Sequence, residues 1–311
     1  MIPFFVTIDT EGDCLWNNPI DIKTENSLFI PRFQELCEKY GFIPIWLTDY
    51  EMAMDERYVS YIKEKVKDGL AEVGLHVHAL NNPPIYKLDG EDKRRNPYLI
   101  EYPEKVMFEK IKVLKDTIET NFECKTLSHR AGRWTINQTY IDMLIDLGIK
   151  YDCTITPSLN WENNRGVTEG SKGSNYLLCS NEKTELDHSN KCSDLIEFPV
   201  TIVSSKRLFM PEKPSVKNFL RAIKNSIKGQ KIWLRPNGKN LKQMKWLLKY
   251  AKRNNFKFVE FMIHSSELMP GGSPTFKDEI AIEKFYKDTE CLFSYAKMLG
   301  FEGGKFSEFR S

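Results

Sequence analysis

Short apolar runs alternate with longer stretches of helical period along nearly the whole chain, and this alternation predicts its architecture. Residues 2–9 form an aromatic and β-branched run that reads as a buried strand. Residues 27–40 place Leu28, Phe29, Phe33, Leu36 and Cys37 on a helical stripe, which Gly41 closes. Further strands are predicted over 42–48, 71–79, 124–131, 150–156, 195–203, 231–235 and 257–264, and further helices over 51–67, 103–121, 137–147, 215–228, 241–254 and 276–299. Strand followed by helix, repeated without a second regime of composition, predicts a single α/β domain spanning 1–311 and folded as a (β/α) barrel. Two long polar inserts, 80–102 and 157–194, interrupt the alternation. Strand ends and the loops after them share one rim of a barrel, where barrel enzymes carry their sites. Inserts of this length inside a compact domain tend to be functional, so substrate specificity is expected to reside in them.

Composition narrows the class. The chain is 41% hydrophobic and 28% charged, as ordinary globular proteins are. Its 45 lysines and arginines nearly cancel 43 aspartates and glutamates, which gives no bulk attraction to nucleic acid or an anionic membrane. Lysines recur at helical spacing in 213–231 and 239–257, where they read as a solvated helix face. No run approaches the ~20 apolar residues of a membrane span. The start of the chain lacks the basic residues and cleavage site of a secretory signal, so a cytoplasmic protein is expected. Seven cysteines, Cys14 among them, show no Cys-x-x-Cys spacing; they read as reduced structural thiols, and none is assigned to metal.

Chemistry enters at the predicted strand ends. In Glu72-Val73-Gly74-Leu75-His76-Val77-His78 two of the five histidines stand two apart at the end of an apolar run. Side chains at i and i+2 of a strand share a face, so His76 and His78 can point at one divalent metal. The first strand runs into Asp9-Thr10-Glu11-Gly12-Asp13, where extended backbone would bring three carboxylates to one side; in a turn the same acids would bond backbone amides instead. Two histidines and a carboxylate leave an open position on zinc, the arrangement of a hydrolytic site. Arg130, in Ser128-His129-Arg130-Ala131-Gly132-Arg133-Trp134, is placed to keep a carboxylate ionised or to brace the rim, and Trp134 offers a flat apolar surface to a sugar. His129 takes no role. His264 ends the last apolar strand, ahead of a glycine-rich loop, and suits a proton donor.

Taken in order, Asp9-Thr10-Glu11-Gly12-Asp13, His76-Val77-His78, Arg130-Ala131-Gly132-Arg133-Trp134, Ile196-Glu197-Phe198-Pro199-Val200-Thr201 and Ile263-His264-Ser265 resemble the motifs of the polysaccharide deacetylases, carbohydrate esterase family 4 or NodB homology proteins. The resemblance spans nearly the whole chain. It implies a distorted (β/α) barrel of seven or eight strands and metal-dependent removal of an acetyl group from a carbohydrate. By position, Asp9 matches the catalytic base, His76 the first metal histidine, Arg130 the arginine that orients the base, and His264 the general acid. Two positions depart from the pattern. Thr10 stands where the family has a second aspartate, so Glu11 or Asp13 must supply the metal carboxylate, Glu11 being the nearer on the same face. Leu80 stands where the second histidine falls, so His78 must substitute.

The expectation is therefore a hydrolase for an acetylated, foremost N-acetylated, carbohydrate in surface polysaccharide or sugar-precursor metabolism. It would carry one divalent metal, zinc in the first instance, on Glu11, His76 and His78. Asp9, Arg130 and His264 would be catalytic, and Trp134 and Asp13 would contact substrate. Two rivals stand beside it: a metal-independent amide hydrolase of the same fold, and a glycan-binding pseudoenzyme motivated by Thr10 and Leu80. Oligomeric state is not legible.

Overall fold

The computed structural model describes residues 1–13, 15, 21–90, 95–211 and 215–309; Cys14 lies outside the described residues. Its strands, in chain order, are β1 (Ile2–Thr10), β2 (Pro44–Thr48), β3 (Glu72–Val77), β4 (Ser128–Ala131), β5 (Tyr151–Asp152), β6 (Thr184–Asp187), β7 (Asp194–Glu197), β8 (Ile202–Ser205), β9 (Gln230–Trp233), β10 (Val259–His264) and β11 (Phe301–Gly303). Its α-helices are α1 (Ile30–Lys39), α2 (Tyr50–Ala53), α3 (Glu56–Lys67), α4 (Glu104–Phe122), α5 (Gln138–Asp146), α6 (Val216–Lys228), α7 (Leu241–Arg253) and α8 (Glu279–Met298).

Strands β10, β1, β2, β3, β4, β5 and β7 form one curled parallel sheet, with β6 antiparallel on its far edge and β11 beside the start of β1. This is the distorted barrel expected from the sequence. The ladder does not close. Between β7 and β10 the chain runs as 198–201, where Pro199 has no N–H to donate. Single backbone bonds span the gap: Thr201 N–H to the Glu260 carbonyl (3.4 Å), Leu234 N–H to Thr201 (3.0 Å) and Met262 N–H to Leu234 (3.2 Å).

The predicted strand 195–203 is accordingly two strands, and 231–235 corrects to β9, which pairs antiparallel with β8 in a separate two-stranded sheet. Strands 124–131 and 150–156 shorten to β4 and β5. The helix expected over 51–67 breaks at Asp55, whose carboxylate caps α3 by accepting the Tyr58 N–H at 2.9 Å. β6 lies inside the insert 157–194, and β11 follows the last helix; both went unforeseen. No helix among the described residues is long and apolar enough to cross a membrane.

Alternation along β1 positions the site. Phe4, Val6 and Ile8 join the large core beneath the helices, whereas Phe5 belongs to a second cluster with Leu47, Phe198, Phe258 and Phe306. Ring centroids of Phe5, Phe198 and Phe306 stand 4.8–5.3 Å apart and form an aromatic plug. Thr7 and Asp9 share the face of Phe5. Climbing the interior, the chain thus passes from an apolar floor through a buried polar layer to the rim.

Candidate functional site

At the rim, β1 and β10 align Asp9 opposite His264, and β3 and β4 align His76 opposite Arg130. Four strand ends therefore converge on one cleft of about 240 Å³, whose walls include Asp9, Glu11, His76, His78, Trp134 and His264.

Glu11, His76 and His78 form a compact set of donors. His78 Nε2 lies 2.8 Å from Glu11 Oε2 and 3.0 Å from His76 Nε2, and the third side, His76 Nε2 to Glu11 Oε2, measures 3.6 Å. A triangle of these sides has its centre about 2 Å from each corner, the distance that zinc keeps to nitrogen and carboxylate oxygen. His76 Nδ1–H donates to the Arg130 carbonyl at 3.0 Å, which leaves the Nε2 lone pair facing the cleft, as a ligating histidine requires. Burial pushes the Glu11 carboxyl up, but His264, His76 and His78 outweigh it and hold the group well below the usual range, so it is a carboxylate. The residues present fit a divalent cation.

Beside this triangle, Asp9 accepts from Arg130 Nη1 at 2.5 Å. Its second oxygen lies 3.9 Å from His76 Nε2 and 3.6 Å from His264 Nε2. Burial raises Asp9, yet Arg130, then His76 and His264, keep its pKa below the ordinary value, and the group stays ionised. Arg130 is wholly buried. It also donates Nε–H to the Cys153 carbonyl (2.9 Å) and Nη2–H to Thr7 Oγ1 (2.7 Å), and it pairs with Glu260.

His264 rests on two residues that the sequence reading missed. Arg235 Nη2 donates to His264 Nδ1 at 2.9 Å, and Glu267 Oε2 accepts from Arg235 at 3.2 Å and from the His264 backbone N–H at 3.0 Å. Arginine only donates, so Nδ1 accepts and the ring proton sits on Nε2, which faces Asp9 and Glu11. Burial raises Glu267, but Arg235 and His264 bring it down to about 2. Arg235 ends the predicted strand 231–235 as His264 ends its own, and that shared position was the signal. Glu260 was also missed, although a lone acid inside Phe258-Val259-Glu260-Phe261-Met262 is conspicuous.

Asp13 does not join the cluster. Its oxygens accept from the Glu25 N–H (2.8 Å), the Asn26 N–H (2.9 Å) and Asn26 Nδ2 (2.6 Å), which is the backbone-bonding turn weighed for these acids. Gly12 turns the chain at that point, donating to Asp49 Oδ2 at 2.9 Å. Trp134 lines the cleft, its ring 5.2 Å from the Arg130 guanidinium carbon. Arg133 and Trp134 both hold positive φ (58° and 59°), so the rim backbone is strained where the ring is presented. His129 points away, bonded to Asp152 (2.7 Å) and to the Tyr140 hydroxyl (2.8 Å). The inserts divide their work: Leu80, Asn81, Asn96, Pro97 and Leu99 line the cleft, while 157–194 braces them, Glu101 accepting the Val167 and Thr168 N–H groups at 2.9 and 2.6 Å.

Gly132 makes a close backbone approach at the rim. A β-carbon there would stand 2.6 Å from the Val77 carbonyl oxygen and 3.4 Å from His78 Nδ1. Gly132→Ala is expected to cost roughly 1–3 kcal/mol through overpacking, read as a lowered urea midpoint; an unchanged midpoint would show that the His78 loop yields freely.

No protein-family model matches the chain, and no curated protein does. Solved structures match. A branching enzyme from Thermococcus kodakaraensis superposes at a TM-score of 0.55 and 10% identity, over 99% of this chain and 71% of that one. A 4-alpha-glucanotransferase from Thermococcus litoralis gives 0.51 at 11% identity, this chain covering 99% of its own length and 38% of the other. The catalytic domain of a peptidoglycan N-acetylglucosamine deacetylase from Eubacterium rectale gives 0.42 at 10%, over 99% and 91%. At these identities the likeness to the branching enzyme and the glucanotransferase is one of fold alone.

Proposed function

We propose that this chain is a divalent-metal-dependent deacetylase acting on an acetylated, foremost N-acetylated, sugar. One observation carries the reading: the donor triangle of Glu11, His76 and His78 opens onto the same cleft as an arginine-held carboxylate and a histidine whose ring proton faces it. Bound by those three side chains, a divalent ion would polarise the acetyl carbonyl and lower the pKa of water from ~16 towards ~7.

The remaining steps belong to the chain. Asp9, ionised and fixed by Arg130, takes the proton of the attacking water. His264 Nε2–H gives a proton to the departing amine as the ring regains the one that Asp9 took from water, and Arg235 and Glu267 keep that nitrogen turned into the cleft. Asp9 Oδ2 and His264 Nε2 lie 3.6 Å apart, so base and acid serve the two sides of one reacting carbon. Trp134 gives the sugar an apolar face. The cleft is smaller than the ~300–1,000 Å³ usual for drug-sized ligands, which suits one sugar unit or a chain end.

The test is elemental analysis after dialysis against trace zinc, beside an acetate-release assay over acetylated sugars. About one metal per wild-type chain is expected, with both the metal and acetate release lost in His76→Ala and His78→Ala. Metal retained in both variants removes the proposed centre. Metal bound without acetate release from any acetylated sugar leaves a binding protein.

A further inference from the structure

Helix α6 turns its apolar stripe outward. Val216, Phe219, Leu220, Ile223 and Ile227 follow the spacing of a single helix face, yet no residue of α6 is buried. Val216, Leu220 and Ile227 are 79%, 60% and 70% exposed. Leu208 and Met210, on the segment before it, are exposed as well. Asn218, Arg221, Ala222 and Asn225 of α6 border a cleft of about 430 Å³ shared with Phe209, Phe276 and the start of α7.

Charge is segregated to the same region. Residues 215–259 hold thirteen lysines and arginines and no acid, although the whole chain is only +2, so the rest of it is net negative. Lys217, Arg221, Lys224 and Lys228 flank the apolar stripe of α6 and are exposed. On α7, Lys245, Lys249 and Arg253 surround half-buried Trp246 and Tyr250. The aromatic contact of Phe209 with Trp246 at 5.6 Å joins the two regions.

We propose that α6 and the basic face of α7 dock this protein on an anionic phospholipid bilayer, with the apolar stripe entering the interface and the cations meeting headgroup phosphates. An exposed helix with a basic polar side and an aliphatic and aromatic opposite side has the composition of an interfacial helix. Basic residues near an anionic leaflet add to the attraction, and tryptophan and tyrosine favour the headgroup level. Nucleic acid would match the charge but leave Val216, Leu220 and Ile227 in water. A second copy docking face to face would set cation against cation. The bilayer is the partner that satisfies both features.

Vesicle flotation of the full chain tests this, with phosphatidylcholine vesicles and with vesicles containing about one third phosphatidylserine. Wild type is expected to float with the anionic vesicles alone, and high salt should release it. The exposed-residue variant Val216→Ser/Phe219→Ser/Leu220→Ser/Ile227→Ser should lower the bound fraction by about tenfold or more, as should Lys217→Glu/Arg221→Glu/Lys224→Glu. Circular dichroism confirms that each variant folds, and acetate release from a soluble sugar should be unchanged, so docking and catalysis can fail separately. Three outcomes overturn the proposal: no binding to anionic vesicles at low salt, full binding by the apolar variant, or a dimer in light scattering that the same substitutions dissolve. Binding to duplex RNA with none to vesicles would overturn it in favour of a polyanion partner.

Discussion

Asp9→Asn is expected to lower the turnover number for acetate release by roughly 10²–10⁴, the usual worth of a positioned base, while the metal content stays at the wild-type level. The separation of the two readouts is the point. Asp9 lies 3.9 Å from His76 Nε2, outside the Glu11, His76 and His78 triangle, and its nearer partner is Arg130 at 2.5 Å. Asparagine keeps the size and can still accept from Arg130, but it cannot take a proton from water. His264→Gln should cost a similar factor from the other side of the reaction, and the two losses should not multiply in the double variant, since base and acid act as a unit. The pH profile gives a further check. Because Arg130 and the two histidines hold Asp9 below its ordinary 3.8, the base is ionised throughout the neutral range, and the acid limb of kcat/KM should fall below that value. An Asp9→Asn enzyme with wild-type turnover would sink the assignment, and one that loses its metal would move Asp9 into the metal centre.

Much of this arrangement is legible in the sequence because strand ends are local. The alternation of side chains along an extended backbone was enough to put His76 with His78 and Asp9 with Glu11, and the barrel rule put strand ends on one rim. What stayed hidden depends on backbone that leaves the extended path. Asp13 obeys the same alternation on paper, but the chain turns at Gly12 and spends both carboxylate oxygens on Glu25 and Asn26. Strand 195–203 reads as one apolar run, yet Pro199 interrupts its ladder, and β9 then pairs with β8 instead of joining the barrel. The outward stripe of α6 was the hardest to foresee. Its periodicity is that of any amphipathic helix, and only packing shows which face meets the domain.

Arg130→Met is expected to destabilise the fold by about 3–5 kcal/mol, the usual cost of removing one partner from a buried charge pair, and to depress activity with it. The size follows from what the guanidinium holds. It is wholly buried, ties β4 to β1 through Thr7 and Asp9, reaches the Cys153 carbonyl and pairs with Glu260 on β10. One cation thus serves two carboxyl groups. Asp9 comes out ionised, whereas burial prevails at Glu260 despite Arg130 and raises it to about 8. Glu260 therefore keeps its proton in the folded chain up to about pH 8 and loses it in the unfolded chain near 4.5. Its contribution is fully present below the lower value and is lost as pH rises through the upper one. Glu267 runs the opposite way: lowered to about 2, its contribution is complete above the ordinary 4.5 and is lost only in acid. Between pH 5 and pH 8 the slope left by these two groups is thus that of Glu260, with stability declining as pH rises. Urea midpoints at the two pH values should show this decline in wild type and its flattening in Glu260→Gln. Equal midpoints for wild type and Arg130→Met at both pH values would mean that the buried layer is held by its hydroxyl and backbone bonds, with the charge contributing nothing.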